Sequence, residues 1–129
     1  MNKALSADEL LFFNRQPAAL PIYETFREAV FSRYHDARIE VKKTQISFFN
    51  RYMFAAVSFT PVRRAIARLD PFLTITFGLP RRIESTRIDA AALPCPNRWT
   101  YHVMIRSCEE IDNELLSWIG ESAGFANRV

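Results

Sequence analysis

Six side chains carry the chemistry that this sequence could perform: Lys43, Arg51, Arg81, Arg82, Arg98 and His102, with Trp99 and Tyr101 beside the last two. A guanidinium fork matches a phosphate or carboxylate through paired N–H donors, and an exposed ring stacks on a base. The set therefore reads as ligand-binding residues for an anionic ligand or nucleic acid, in a module that performs no reaction. His102 also carries a second reading, a small enzyme. There it would act as general acid or base, while Lys43 or Arg82 stabilised charge in a pocket between a central hairpin and the last strand. A third reading is a protein-interaction module in which exposed hairpin phenylalanines pair two copies into a homodimer.

Other chemistries find little footing. His35 and His102 are the only histidines and no G-x-S-x-G occurs, so a nucleophile with a positioned base is not signalled and no catalytic residue is assigned. Three glycines, Gly78, Gly120 and Gly124, cannot build a phosphate-cradling loop or a dinucleotide fingerprint. Cys95, His102 and Cys108 are loosely spaced and lack a fourth ligand, so neither a metal nor a cofactor is assigned.

Charge is distributed unevenly. The formal net charge is +3, but residues 42–106 hold eleven Lys or Arg against three acids, whereas residues 107–129 hold five acids and one base, Arg128. A basic middle suits an anionic partner; equally, a basic sheet edge and an acidic helix can partly neutralise one another. With 129 residues, 49% of them hydrophobic and 11 of them Phe, the chain can bury one core as a single domain over residues 6–126. No apolar run reaches the roughly 18 residues that span a bilayer, and the first residues, MNKALSADELLFF, lack a signal-peptide apolar region, so no membrane partner and a cytoplasmic location are expected. Two cysteines suit that compartment.

The elements that must position these side chains follow from period and punctuation. Ser6-Ala7-Asp8-Glu9 is a capping box opening a short helix to about Asn14. A second helix is expected from Ala18 to Tyr34, with Leu20, Tyr23, Phe26, Val30 and Tyr34 facing the core and Glu24, Arg27, Glu28 and Arg33 in water. Ala37 to Lys43 alternates as a strand, which puts Lys43 in phase with Ile39 and Val41. Lys42 to Phe59 reads as a hairpin turning at Asn50-Arg51. Val62 to Leu69 suggests a basic helical turn holding Arg63, Arg64 and Arg68, and a strand after Pro71 stops at Gly78-Leu79-Pro80. Residues 81–97 read as a long connection, weakly helical near Ile88 to Leu93, and loops of that length often carry function. Trp99 to Arg106 is the last strand, with Trp99, Tyr101, Val103 and Ile105 on one face and Thr100, His102, Met104 and Arg106 on the other. Ser107 and Glu110 then form a second capping box for a final helix with Ile111, Leu115, Trp118 and Ile119 inward.

The resulting fold class is α+β, a single domain with a mainly antiparallel sheet of about five strands, two N-terminal helices and one C-terminal helix. Leu20-Pro21-Ile22-Tyr23, Lys43-Thr44-Gln45-Ile46-Ser47-Phe48, Phe77-Gly78-Leu79-Pro80-Arg81-Arg82, Arg98-Trp99-Thr100-Tyr101-His102 and Glu110-Ile111-Asp112 together resemble the domain-of-unknown-function family numbered 5655. The resemblance runs from Phe12 to Gly124. It implies a compact α+β fold, brings no established activity, and fits a recognition module found within longer bacterial proteins. In that family the position of Tyr101 often looks like histidine; here His102 stands without that partner.

Overall fold

The computed structural model describes residues 4–61, 71–95 and 98–127. The basic turn expected at Val62–Leu69 lies outside the described residues. Helix α1 (Ala7–Phe12) opens on the Ser6–Glu9 capping box, with Ser6 Oγ accepting from the Glu9 N–H and Glu9 accepting from the Ser6 N–H. A 3-10 turn, Pro17–Ala19, leads into α2 (Leu20–Arg33), where Pro21 in the first turn costs no internal hydrogen bond.

Strands β1 (Arg38–Val41), β2 (Gln45–Phe49), β3 (Met53–Ser58), β4 (Leu73–Leu79), β5 (Ala90–Cys95) and β6 (Arg98–Ile105) form one antiparallel sheet in the order β1-β2-β3-β4-β6-β5. The last described helix is α3 (Asn113–Ala126). The α+β class stands, with six strands where about five were expected. The added strand is β5, in the segment read as a weakly helical connection. Its run of alanines has helical propensity, but pairing with β6 supplies hydrogen bonds and sets the Ala90–His102 and Ala91–Tyr101 register.

One sheet face is the core. Ile46, Phe48, Val57, Ile75, Phe77, Tyr101, Val103 and Ile105 all lie buried on it through direct cross-strand pairing. Phe26 meets Phe48 edge-on at 5.4 Å from α2, and Trp118 stacks on Phe77 at 5.8 Å from α3. Each such side chain withdrawn from water contributes about 1.5–3 kcal/mol. The opposite face carries Ser47, Ala56, Thr74, Thr76, His102 and Met104.

Two expectations fail for identifiable reasons. Arg27 is not on the wet side of α2 but only 6% exposed, because Glu9, at 2%, meets it inside the fold. The final helix begins at Asn113, not after Ser107. Asp112 caps it by accepting from the Leu115 N–H at 3.1 Å, while Cys108–Glu110 form a separate 3-10 turn in which Glu110 accepts from the Arg106 N–H. Aspartate accepts through a fixed short carboxylate, and the negative charge sits at the positive end of the helix dipole.

Candidate functional site

The two ends of the sheet separate the six expected residues. Lys43 lies in the β1–β2 turn at one end, beyond the end of its strand at Val41, and is exposed with no apolar face to share. There its carbonyl accepts from Arg15 at 3.3 Å, and a shallow cleft holds Asp8, Arg15, Lys42 and Lys43. Arg51 in the β2–β3 turn, Arg98 at the start of β6, and Arg81 and Arg82 just after β4 all belong to the other end. His102 stands midway along β6 on the face opposite the core.

Among the arginines, pairing distinguishes one. Arg81 makes a two-pronged ion pair with Glu121 on α3, 2.8 Å for each prong. That contact holds the Glu121 carboxyl below its ordinary range and raises the Arg81 guanidinium. Arg82 lies 3.4 Å from Glu84 and over the Trp99 ring at 6.0 Å. Arg51 covers the Tyr52 ring at 5.4 Å. Arg98 makes no ion pair or hydrogen bond among the described residues, and its Nε lies 3.8 Å from where a Cβ on Gly78 would stand.

The loop carrying Arg81 and Arg82 is held firmly. Tyr101, 1% exposed, accepts from the Ile83 N–H at 2.8 Å and donates to the Arg81 carbonyl at 3.1 Å. Arg87 binds Asp112 at 2.7 Å and Glu114 at 3.1 Å, with its guanidinium over Trp118. Burial works against its charge, but these two carboxylates outweigh that and raise its pKa. Tyr101 is therefore a core strut, not an exposed stacking ring, and Trp99 is half-buried beneath Arg82. No paired platform for bases is assembled from them.

Arg98 borders a cavity of about 500 Å³. Thr76, Phe77 and Gly78 of β4, Arg98 and Thr100 of β6, Tyr52 to Ala56 around the start of β3, and Ser122, Phe125 and Ala126 of α3 line it among the described residues. It exists because β3 and β4 part company. Their ladder runs from Ser58–Thr74 to Ala55–Phe77, and the next pair in register, Phe54 and Gly78, is bridged by a side chain instead. The Ser122 hydroxyl, on a residue 1% exposed, accepts from the Gly78 N–H at 3.1 Å and donates to the Phe54 carbonyl at 2.7 Å. Asn127 ties the same corner by accepting from the Tyr52 N–H at 2.7 Å. Ser122 had no local sequence signal, since a serine within a helix reads as neutral filler until the strand opposite it is known.

His102 shares a 2.8 Å hydrogen bond between its Nδ1 and Thr76 Oγ1, and burial pushes its pKa below the ordinary value. The fold thus favours neutral imidazole, whereas the unfolded chain takes up a proton as pH falls below about 6.5. Stability should therefore decline as pH drops through 6.5 toward the lower folded value, and His102→Gln should flatten that part of a denaturation-midpoint-versus-pH curve. An unchanged slope would exclude this origin. Lys43 and Arg82 do not converge on His102: Lys43 is at the far end, and Arg82 lies over Trp99 on the opposite face of β6.

A family model for a domain of unknown function, DUF5655, matches residues 11–125. The chain belongs to that family. The comparisons with curated proteins and with solved structures gave no match. In this DUF5655 domain, no helix among the described residues is long and apolar enough to cross a membrane. The hairpin phenylalanines invoked for dimerisation are not exposed: Phe48 and Phe54 are buried, and Phe49 and Phe59 half-buried.

Proposed function

We propose that this domain is a binding module for a small anionic ligand, held in the cavity where β3 and β4 part. The observation that carries the reading is Arg98, a guanidinium at the cavity wall with no carboxylate partner among the described residues. A cation over a formed concave site, with Thr100 two residues along the same strand face, offers paired donors to a carboxylate or phosphate. Arg81 and Arg82 contribute less, because each already has an acid neighbour.

Binding is favoured over catalysis because His102 has its Nδ1 engaged by Thr76 and stands four residues from Arg98, about 13 Å along an extended strand. A small ligand is favoured over nucleic acid because Lys43 stands at the opposite end of the sheet from the four arginines and, of the expected stacking rings, Tyr101 is buried and Trp99 is half-buried beneath Arg82.

Titration calorimetry against small anions and a short oligonucleotide, at two salt concentrations, tests the reading. A small anion should bind with shallow salt dependence, and Arg98→Ala should weaken it by about tenfold or more, while the oligonucleotide gains nothing specific. Oligonucleotide binding that collapses with salt and ignores Arg98 would overturn it.

A further inference from the structure

Resting on that reading, we infer that the ligand is an amphipathic anion with one acidic head: a carboxylate or phosphate on an apolar body, not a polar metabolite such as a nucleotide or sugar phosphate. The cavity wall supports this through which polar groups remain available. Ser122 already accepts from Gly78 and donates to Phe54, and Thr76 is engaged with His102. Among the described residues, the uncommitted side-chain donors in the wall are Arg98 and Thr100, both on β6, and the Tyr52 hydroxyl.

Across β4 from Arg98 and Thr100, the start of β3 and the end of α3 present Met53, Phe54, Phe125 and Ala126, with Tyr52 at the rim beside Met53. The cavity is therefore charged at its β6 end and apolar at its α3 end. A ligand with several hydroxyls or a second charged group would bring polar groups against phenyl and methyl surface, where each unsatisfied group costs about 1–3 kcal/mol. An apolar body gains from the same surface, and its head reaches Arg98.

The test titrates the whole chain with decanoate, monodecyl phosphate, decanol, acetate and adenosine monophosphate, all below micelle-forming concentrations. Decanoate or decyl phosphate should bind; the stronger of the two identifies the head group. Decanol should bind about tenfold more weakly, and acetate and adenosine monophosphate not measurably. Arg98→Ala should reduce the charged amphiphile to the level of decanol. Ala126→Trp, which fills the apolar end without touching Arg98, should abolish binding of both, and amide shifts of the unaltered chain should move at Gly78, Thr100 and Phe125.

Adenosine monophosphate binding better than decanoate through Arg98 would overturn the amphipathic class and leave the anion reading standing. Equal binding of decanol and decanoate would overturn the anion reading. No binding of any probe, or shifts confined to the Lys43 end, would overturn both.

Discussion

Replacing Arg27 by methionine should destabilise the domain by about 3–5 kcal/mol, the largest effect expected of any charged residue here. Arg27 Nε donates to Glu9 at 2.8 Å, one of its terminal nitrogens donates to the other Glu9 oxygen at 3.3 Å and to the Ala4 carbonyl at 3.0 Å, and its guanidinium lies 5.0 Å from the Phe31 ring centre. The Tyr23 hydroxyl donates to Glu9 as well. Losing the arginine leaves a buried carboxylate with no cation, and burial alone would drive its pKa up. In the native fold the hydrogen bonds from Tyr23 and Arg27 outweigh burial and hold Glu9 below its ordinary value. Burial and Glu9 together push the Tyr23 phenol far above its own.

The sign for Glu9 follows from linkage. A depressed carboxylate stabilises the fold above its unfolded value, about 4.3, and loses that contribution as pH falls through the folded value. In Arg27→Met the acid-unfolding midpoint should therefore move to higher pH. The control is the triple replacement Glu9→Met, Tyr23→Phe, Arg27→Met, which removes every member together. It should be less damaging than Arg27→Met alone, because apolar groups of similar size leave no orphaned charge. Urea denaturation of the four proteins, the wild type and the singles Arg27→Met and Glu9→Met with the triple, decides it. An Arg27→Met cost under about 1 kcal/mol, the value of a surface pair, would show that the network is solvated.

The same triad shows where the sequence was legible and where it stopped. Ser6 and Glu9 announced a helix start, and the pattern that placed Tyr23, Phe26 and Val30 on the inner stripe is obeyed. Residue type alone puts Arg27 in water, although it stands four residues from both Tyr23 and Phe31, on the edge of the same stripe. Its partner comes from another element, and such a pairing has no local signature. β5 was hidden for a similar reason: a short alanine-rich strand is specified by the β6 edge it joins, not by its own propensity. The faces of β6 are legible because alternation there is clean and the strand is paired on both sides, so Trp99 and Tyr101 fall on the core side as their spacing requires. Of the candidate site, Arg98 is visible by type alone, while the cavity beside it depends on the β3–β4 ladder ending at Ala55–Phe77, which no spacing records.

Ser122→Ala should cost about 2–4 kcal/mol, an unusually large effect for deleting one hydroxyl from a helix. An ordinary serine-to-alanine change inside a helix is neutral or favourable by propensity, since alanine loses less entropy there. Here the oxygen satisfies two backbone groups at once, the Gly78 N–H and the Phe54 carbonyl, in a place withdrawn from solvent. Without it both are left unpaired, and each carries a desolvation penalty of about 1–3 kcal/mol. Two outcomes are physically available to the variant: the strands close and pair directly, or water enters from the cavity and bridges them. Closure would require Phe54 and Gly78 to approach, displacing α3 at Ser122 and collapsing the wall formed by Phe125 and Ala126. Ser122→Thr keeps the hydroxyl and should recover most of the loss, provided that its methyl finds room beside Phe54. Amide exchange at Gly78 reads the difference directly, slow in the wild type and in Ser122→Thr and faster in Ser122→Ala. If Gly78 stays protected in Ser122→Ala and the denaturation midpoint does not move, the hydroxyl is not the bridge that holds the split, and the cavity owes its shape to the surrounding side chains instead.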